Sequence, residues 1–148
     1  MSGILCAIRG GPASQGVIEL GIQMAKETGE ELHFLYVVNL DFLKMTEISR
    51  TQVISEEMHH MGEFILLTAQ AKAQKAGVPA VGTVRHGDVT QEIIDLANEL
   101  EASHIVLGRP LSEDQTAVFS DDRLAAFVNL CEQETSARVV LASSGGEE

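Results

Sequence analysis

Residues 87–108 read Gly87-Asp88-Val89-Thr90-Gln91-Glu92-Ile93-Ile94-Asp95-Leu96-Ala97-Asn98-Glu99-Leu100-Glu101-Ala102-Ser103-His104-Ile105-Val106-Leu107-Gly108. Val89, Ile93, Leu96, Ala97 and Leu100 fall at steps of four, three, one and three, which is one face of a helix. Asp88 followed three positions later by Gln91 has the spacing of a capping box, with Asp in place of Ser or Thr. His104-Ile105-Val106-Leu107 then runs into Gly108. An apolar run with no polar alternation reads as a strand covered on both faces, as in a parallel sheet.

The same alternation extends in both directions. Ile4-Leu5-Cys6-Ala7-Ile8 is a first apolar run, ending at Arg9-Gly10-Gly11-Pro12. Pro12 opens a helix, where its missing N–H costs nothing, with Val17, Leu20, Gly21, Met24 and Ala25 on one stripe. Gly29 is placed to cap it in the left-handed conformation. Leu32 to Val38 is the second strand, and a helical stretch follows from about Ile48 to Ala76. Its expected inner stripe is Ile54, Met58, Met61, Ile65, Ala69 and Ala73, and Gly77-Val78-Pro79 ends it. Ala80 to about Arg85 is the third strand. Beyond Gly108 a polar segment runs to Ser120, then a helix carrying Leu124, Phe127, Val128 and Cys131, then a last strand, Arg138 to Ala142. Strict β-α alternation predicts an α/β fold: an open five-stranded parallel sheet with helices on both faces and right-handed crossovers. One domain is expected over 1–143, with 144–148 a flexible acidic tail.

The chain has 148 residues, enough to bury a core without disulfides or a structural metal. Ten Lys and Arg stand against 22 Asp and Glu, a net charge of −12. That argues against nucleic acid and against an anionic membrane, both of which need a basic face. No stretch approaches the length of a membrane span, and the opening residues lack the pattern of a signal peptide, so a cytoplasmic protein is expected. Cys6 and Cys131 sit in apolar contexts and read as small buried hydrophobes. Metal binding is not expected. His59 and His60 are adjacent on a helix and point in different directions, His33 and His104 lie in strands, and His86 precedes a loop.

In open α/β sheets, ligands bind beyond the carboxyl ends of the strands, where the strand order reverses. With the first strand central, that crevice lies between the first and fourth strands. The candidate residues are Arg9, Gly10 and Gly11 after the first strand, and Gly108, Arg109 and Pro110 after the fourth. Val37, Val38 and Asn39 form a side wall.

The run from Ile4 to Ser14, Leu35-Tyr36-Val37-Val38, the stretch Val84 to Gly108 and Arg138-Val139-Val140-Leu141 together resemble the universal stress proteins. The resemblance covers nearly the whole chain. It implies a Rossmann-like fold of the adenine nucleotide α-hydrolase type, strand order 3-2-1-4-5, and homodimers. One branch of that family binds ATP or AMP through G-x-x-G, nine residues, then G-[S/T], starting at the end of the fourth strand, with an Asp ending the first. Here Gly108 keeps the first glycine, but Leu111 stands at the second, Asp121-Asp122 at the Gly-Ser pair, and Arg9 at the first-strand Asp.

These departures disfavour a polyphosphate. Glycines let backbone N–H groups close on phosphate oxygens, whereas Leu111 adds bulk and the two aspartates add negative charge. Two like charges about 4 Å apart repel by about 4 kcal/mol at an effective dielectric near 20, a factor of several hundred in affinity. A divalent cation bridging carboxylates and phosphates is the route by which binding survives. Asp121 and Asp122 also have a plainer role, opening a helix and offsetting its dipole. Arg9 and Arg109 have two readings. They form a small-anion site, or they pair with Asp41, Asp121 or Asp122 and fill the crevice from within.

No catalytic constellation stands out, since Ser14 is not in a G-x-S-x-G turn and Gly10-Gly11 is too short for a dinucleotide fingerprint. The expectation is a non-enzymatic regulatory or stress-response module with a vestigial nucleotide pocket and no cofactor, ATP or AMP being disfavoured. It acts by homodimerisation through the last strand edge, Val139, Val140 and Leu141, or by binding a protein partner. The alternative is a nucleotide or small-anion sensor using Arg9 and Arg109.

Overall fold

The computed structural model describes residues 3–9, 12–39, 48–108 and 121–142. Nine elements follow in strict alternation: β1 (Gly3–Ala7), α1 (Pro12–Thr28), β2 (Glu31–Val38), α2 (Ile48–Lys75), β3 (Ala80–His86), α3 (Val89–Leu100), β4 (His104–Gly108), α4 (Asp121–Glu134) and β5 (Arg138–Ala142). All strand pairs are parallel, and the sheet order is β3-β2-β1-β4-β5. The polar segment 109–120 and the tail 144–148 lie outside the described residues.

The continuous apolar runs form the centre of the sheet because both of its faces are covered. Ile4, Leu5 and Cys6 of β1 have no exposed surface. Ile4 and Cys6 face a core built with Val17, Ile18 and Ile22 of α1 and Leu66, Ala69 and Ala73 of α2. Leu5 faces the opposite core, with Ile93, Leu96 and Ala97 of α3 and Phe127 and Cys131 of α4. Each large aliphatic side chain so buried contributes roughly 1.5–3 kcal/mol.

The helical faces turn slightly from those the spacing predicts. In α1 the buried line runs through Val17, Ile18, Ile22 and Ala25, with Leu20 and Met24 only partly covered. In α2, Met61 is 52% exposed, and the inner position is taken by Gly62. The reason is local. A Cβ at Gly62 would overlap the Tyr36 ring, so the helix lies close to β2 only where it has no side chain. Gly21 does the same for α1, since a Cβ there would meet the Cys6 sulfur.

α3 is capped as its sequence predicts on one arm only. The Gln91 backbone N–H donates to Asp88 Oδ2 at 3.0 Å, but the Gln91 side chain reaches forward to Asp95 Oδ1 at 2.9 Å rather than back to the cap. Its C-cap is Glu101, a non-glycine residue at φ 52°, ψ 47°, whose N–H meets the carbonyls of Ala97 and Asn98.

Candidate functional site

The strand order places the topological switch point between β1 and β4, and the pairing Cys6↔Val106 sets their relative height. Continuing that register brings Gly108 opposite Ile8, with Arg9 one residue beyond. The chain leaves β1 still held to β2, because the Ile8 N–H donates to the Leu35 carbonyl at 2.9 Å. The Arg9 N–H then donates to the Ser14 hydroxyl oxygen at 2.8 Å, which ties the β1–α1 turn to the first turn of α1. Ser14 is buried by this arrangement, while Arg9 is exposed at the carboxyl edge.

Val38 is buried and Val37 half-buried at the end of β2, and the Val38 carbonyl accepts the Gly87 N–H at 3.0 Å. Gly108 ends β4, paired with Ala142. Arg9, Val37, Val38 and Gly108 are therefore gathered along one edge of the sheet, as the sequence predicts. Gly10, Arg109, Leu111 and Asp41 lie outside the described residues, as do the side chains of Asp121 and Asp122. The backbone of α4 begins at Asp121, so both aspartates occupy its first turn. α1, which also starts at this edge, has no acidic residue in its first turn. The N-terminus of α1 thus carries its partial positive charge with no acidic residue in the first turn, whereas the sequence of α4 opens on two.

The sulfur chemistry is inert at both cysteines. Complete burial pushes the Cys6 thiol far above its ordinary value, and burial with the neighbouring Glu132 charge pushes Cys131 up to about 11.

Three arrangements escape the sequence reading because they join residues distant in the chain. Arg85 of β3 clamps α3, with its guanidinium 2.6 Å from Glu99 Oε1 and 3.5 Å from Glu92 Oε1. The bond to Glu99 and both carboxylate charges hold its pKa above the ordinary value against burial. At the opposite, amino edge of the sheet, the Ser103 hydroxyl donates to Glu30 Oε1 at 2.6 Å and lies 2.8 Å from His104 Nδ1. A shallow cleft of about 540 Å³ opens at that edge, lined by residues including Lys26, Glu30, Glu31, Gly77 and Val81. It is far from the switch point, where the open α/β rule locates ligands. The third is a histidine pair: His59 Nδ1 of α2 lies 2.9 Å from His86 Nε2 at the end of β3. His59 and His60, expected to point in different directions, instead meet edge to face with ring centroids 6.1 Å apart, and both approach Glu63.

Among the described residues no group of three or more His, Cys, Asp or Glu side chains is gathered to hold a metal ion, and no helix is long and apolar enough to cross a membrane.

A sequence model described as the universal stress protein family matches residues 1–112. Among solved structures, the universal stress protein UspA from Lactobacillus plantarum superimposes with a TM-score of 0.77 at 16% identity, covering 95% of this chain and 97% of that one. A universal stress protein family member from Burkholderia pseudomallei gives 0.71 at 20% identity, covering 95% and 94%. A family member from Arabidopsis thaliana, solved with AMP bound, gives 0.60 at 13% identity, covering 99% and 94%. A search of curated proteins gave no match.

Proposed function

The chain belongs to the universal stress protein family, and on that premise we propose that it is a non-enzymatic regulatory module whose nucleotide pocket has lost its hold on polyphosphate. It works in the cytoplasm during stress, as a homodimer or docked on a protein partner. One observation supports this reading: α4 begins at Asp121, so two acidic residues, Asp121 and Asp122, stand in the first turn of the helix that follows β4. Arg9 in place of an acidic nucleoside contact points the same way.

The expected dimer uses β5. It is an edge strand whose Val139, Val140 and Leu141 are only half-buried, and an unpaired apolar edge is a pairing template. Antiparallel pairing of two copies about a two-fold axis would remove it from solvent. Native mass spectrometry with analytical ultracentrifugation at tens of micromolar tests the proposal. The expected species is a dimer carrying no co-purified nucleotide, dissociated by Val140→Lys. A monomer at that concentration contradicts the assembly, and a stoichiometric nucleotide contradicts the vestigial pocket.

A second reading is favoured by Arg9 itself. Its exposed position at the carboxyl edge beside Gly108, together with the AMP bound in the Arabidopsis relative, supports a sensor for a nucleoside monophosphate or small anion. Thermal-shift titration with AMP and with inorganic phosphate separates the two. A shift abolished by Arg9→Ala supports the sensor, and no shift with either supports the first reading.

A further inference from the structure

We propose that His59 and His86 form a binding site for one divalent ion of the zinc class, with Glu63 as the carboxylate behind it. The two rings come from rigid elements far apart in sequence, the body of α2 and the last residue of β3. His59 Nδ1 and His86 Nε2 lie 2.9 Å apart, with ring centroids separated by 5.2 Å and planes inclined by 20°. That is hydrogen-bond distance, and a hydrogen bond between two imidazole nitrogens has one N–H facing one lone pair across the gap. Replacing the proton by a metal presents both.

The spacing suits that exchange. Zn–N bonds of about 2.0–2.1 Å in a tetrahedron put two ligating nitrogens about 3.3–3.4 Å apart and their ring centroids about 5.2 Å apart. The centroids therefore stand at the required separation already. The 2.9 Å between the nitrogens and 5.2 Å between the centroids put the two lone pairs nearly on one line, so each ring turns by roughly 35° to open the nitrogens by a few tenths of an ångström around a tetrahedral ion.

The surroundings favour one nitrogen of His59 as the free one. Glu63, one helical turn along α2, places Oε2 3.3 Å from His59 Nε2, and the negative charge there favours the N–H on Nε2 and the lone pair on Nδ1. A ligating histidine whose other N–H meets a carboxylate is the usual supporting arrangement of metal sites, orienting the ring and raising its basicity. The other Glu63 oxygen is 3.4 Å from His60 Nδ1, which steadies the carboxylate. His86 is steadied by its pairing with Val38 and by the Gly87 N–H bonded to the Val38 carbonyl.

The ligand class follows from the donors. Two imidazoles favour Zn²⁺, Cu²⁺, Ni²⁺ or Co²⁺, whereas Mg²⁺ and Ca²⁺ want oxygen ligands. The His59 side chain is 37% exposed and His86 is exposed, so water completes the coordination and the ion exchanges readily. The sequence reading expects no metal, since neither H-x-x-x-H nor Cys-x-x-Cys spacing occurs and nothing local brings positions 59 and 86 together.

The test uses tag-free, chelator-treated full chain. Competition of Zn²⁺ against a chromophoric chelator is expected to give one site per chain in the micromolar range. His59→Ala and His86→Ala should each weaken it at least tenfold, and Glu63→Gln about tenfold. Circular dichroism of each variant confirms the fold. Substoichiometric Cu²⁺ should broaden the ring resonances of His59 and His86 while those of His33 and His104 stay sharp. Zn²⁺ affinity unchanged in both alanine variants, broadening centred on His33 or His104, or no uptake at hundreds of micromolar overturns the proposal.

Discussion

Gly62 of α2 sits against the ring of Tyr36 of β2 so closely that a methyl group at Gly62 would overlap the ring carbons. Tyr36 is only 7% exposed, so its ring is covered on almost every side. Gly62→Ala gains about 1 kcal/mol of helix propensity but forces α2 away from the sheet, and overpacking of this kind costs about 1–3 kcal/mol. The expected net loss is about 1 kcal/mol, or a fall of roughly 2–4 °C in Tm. Tyr36→Leu in the same chain should recover part of it. Thermal unfolding of the single and double variants measures the coupling, and additive effects would contradict the contact.

Glu101 holds a left-handed conformation that costs a non-glycine residue about 1–2 kcal/mol. Glycine removes that cost but loses about 0.5–1 kcal/mol through its freer unfolded chain. Glu101→Gly is therefore expected to stabilise the protein by about 0.5–1 kcal/mol, read as a higher urea midpoint at unchanged m-value.

Arg85 joins β3 to α3 through Glu92 and Glu99 and is partly exposed. Its pKa is raised above the ordinary guanidinium value, so the contribution is fully present at every pH below that range and no pH dependence arises from Arg85 itself at working pH. Arg85→Met should destabilise by about 0.5–1.5 kcal/mol at low salt. The difference from the parent should shrink in 1 M salt, since about 3 Å of screening length reaches the exposed Glu99 bond. A difference independent of salt would assign the effect to packing.

The two buried thiols give an alkaline dependence of definite sign. Both have folded pKa values raised above 9.0, Cys131 to about 11. Above pH 9 the unfolded chain loses thiol protons that the folded chain keeps, so unfolding releases protons and stability falls with rising pH. Below pH 9 the contribution is whole. Urea midpoints of parent and Cys131→Ala at pH 7.5 and 10 should differ in slope, the parent falling more steeply. In the native state both thiols should resist alkylation at pH 8 and react once unfolded.

What the sequence makes legible follows from the range of the interactions. The α3 stripe, the apolar strands and the left-handed Gly29 depend on neighbours within a turn or two, and they stand where the spacing puts them. The phase of α2 was not legible, because Met61 and Gly62 differ in hydrophobicity in one direction and in the space beside Tyr36 in the other. At the site, Arg9, Val37, Val38 and Gly108 could be placed because strand ends define the edge. The meetings of His59 with His86 and of Arg85 with Glu99 depend on how α2 and α3 lie on β3, and no local pattern carries that.

The proposed loss of polyphosphate binding rests on Asp121 and Asp122 at the start of α4. Calorimetric titration of the freshly purified chain with ATP in excess magnesium tests it most directly. The account predicts no saturable heat below millimolar ATP, with binding appearing only when Asp121 and Asp122 are replaced together by asparagine. Micromolar affinity in the unaltered protein, undiminished by added salt, would contradict it.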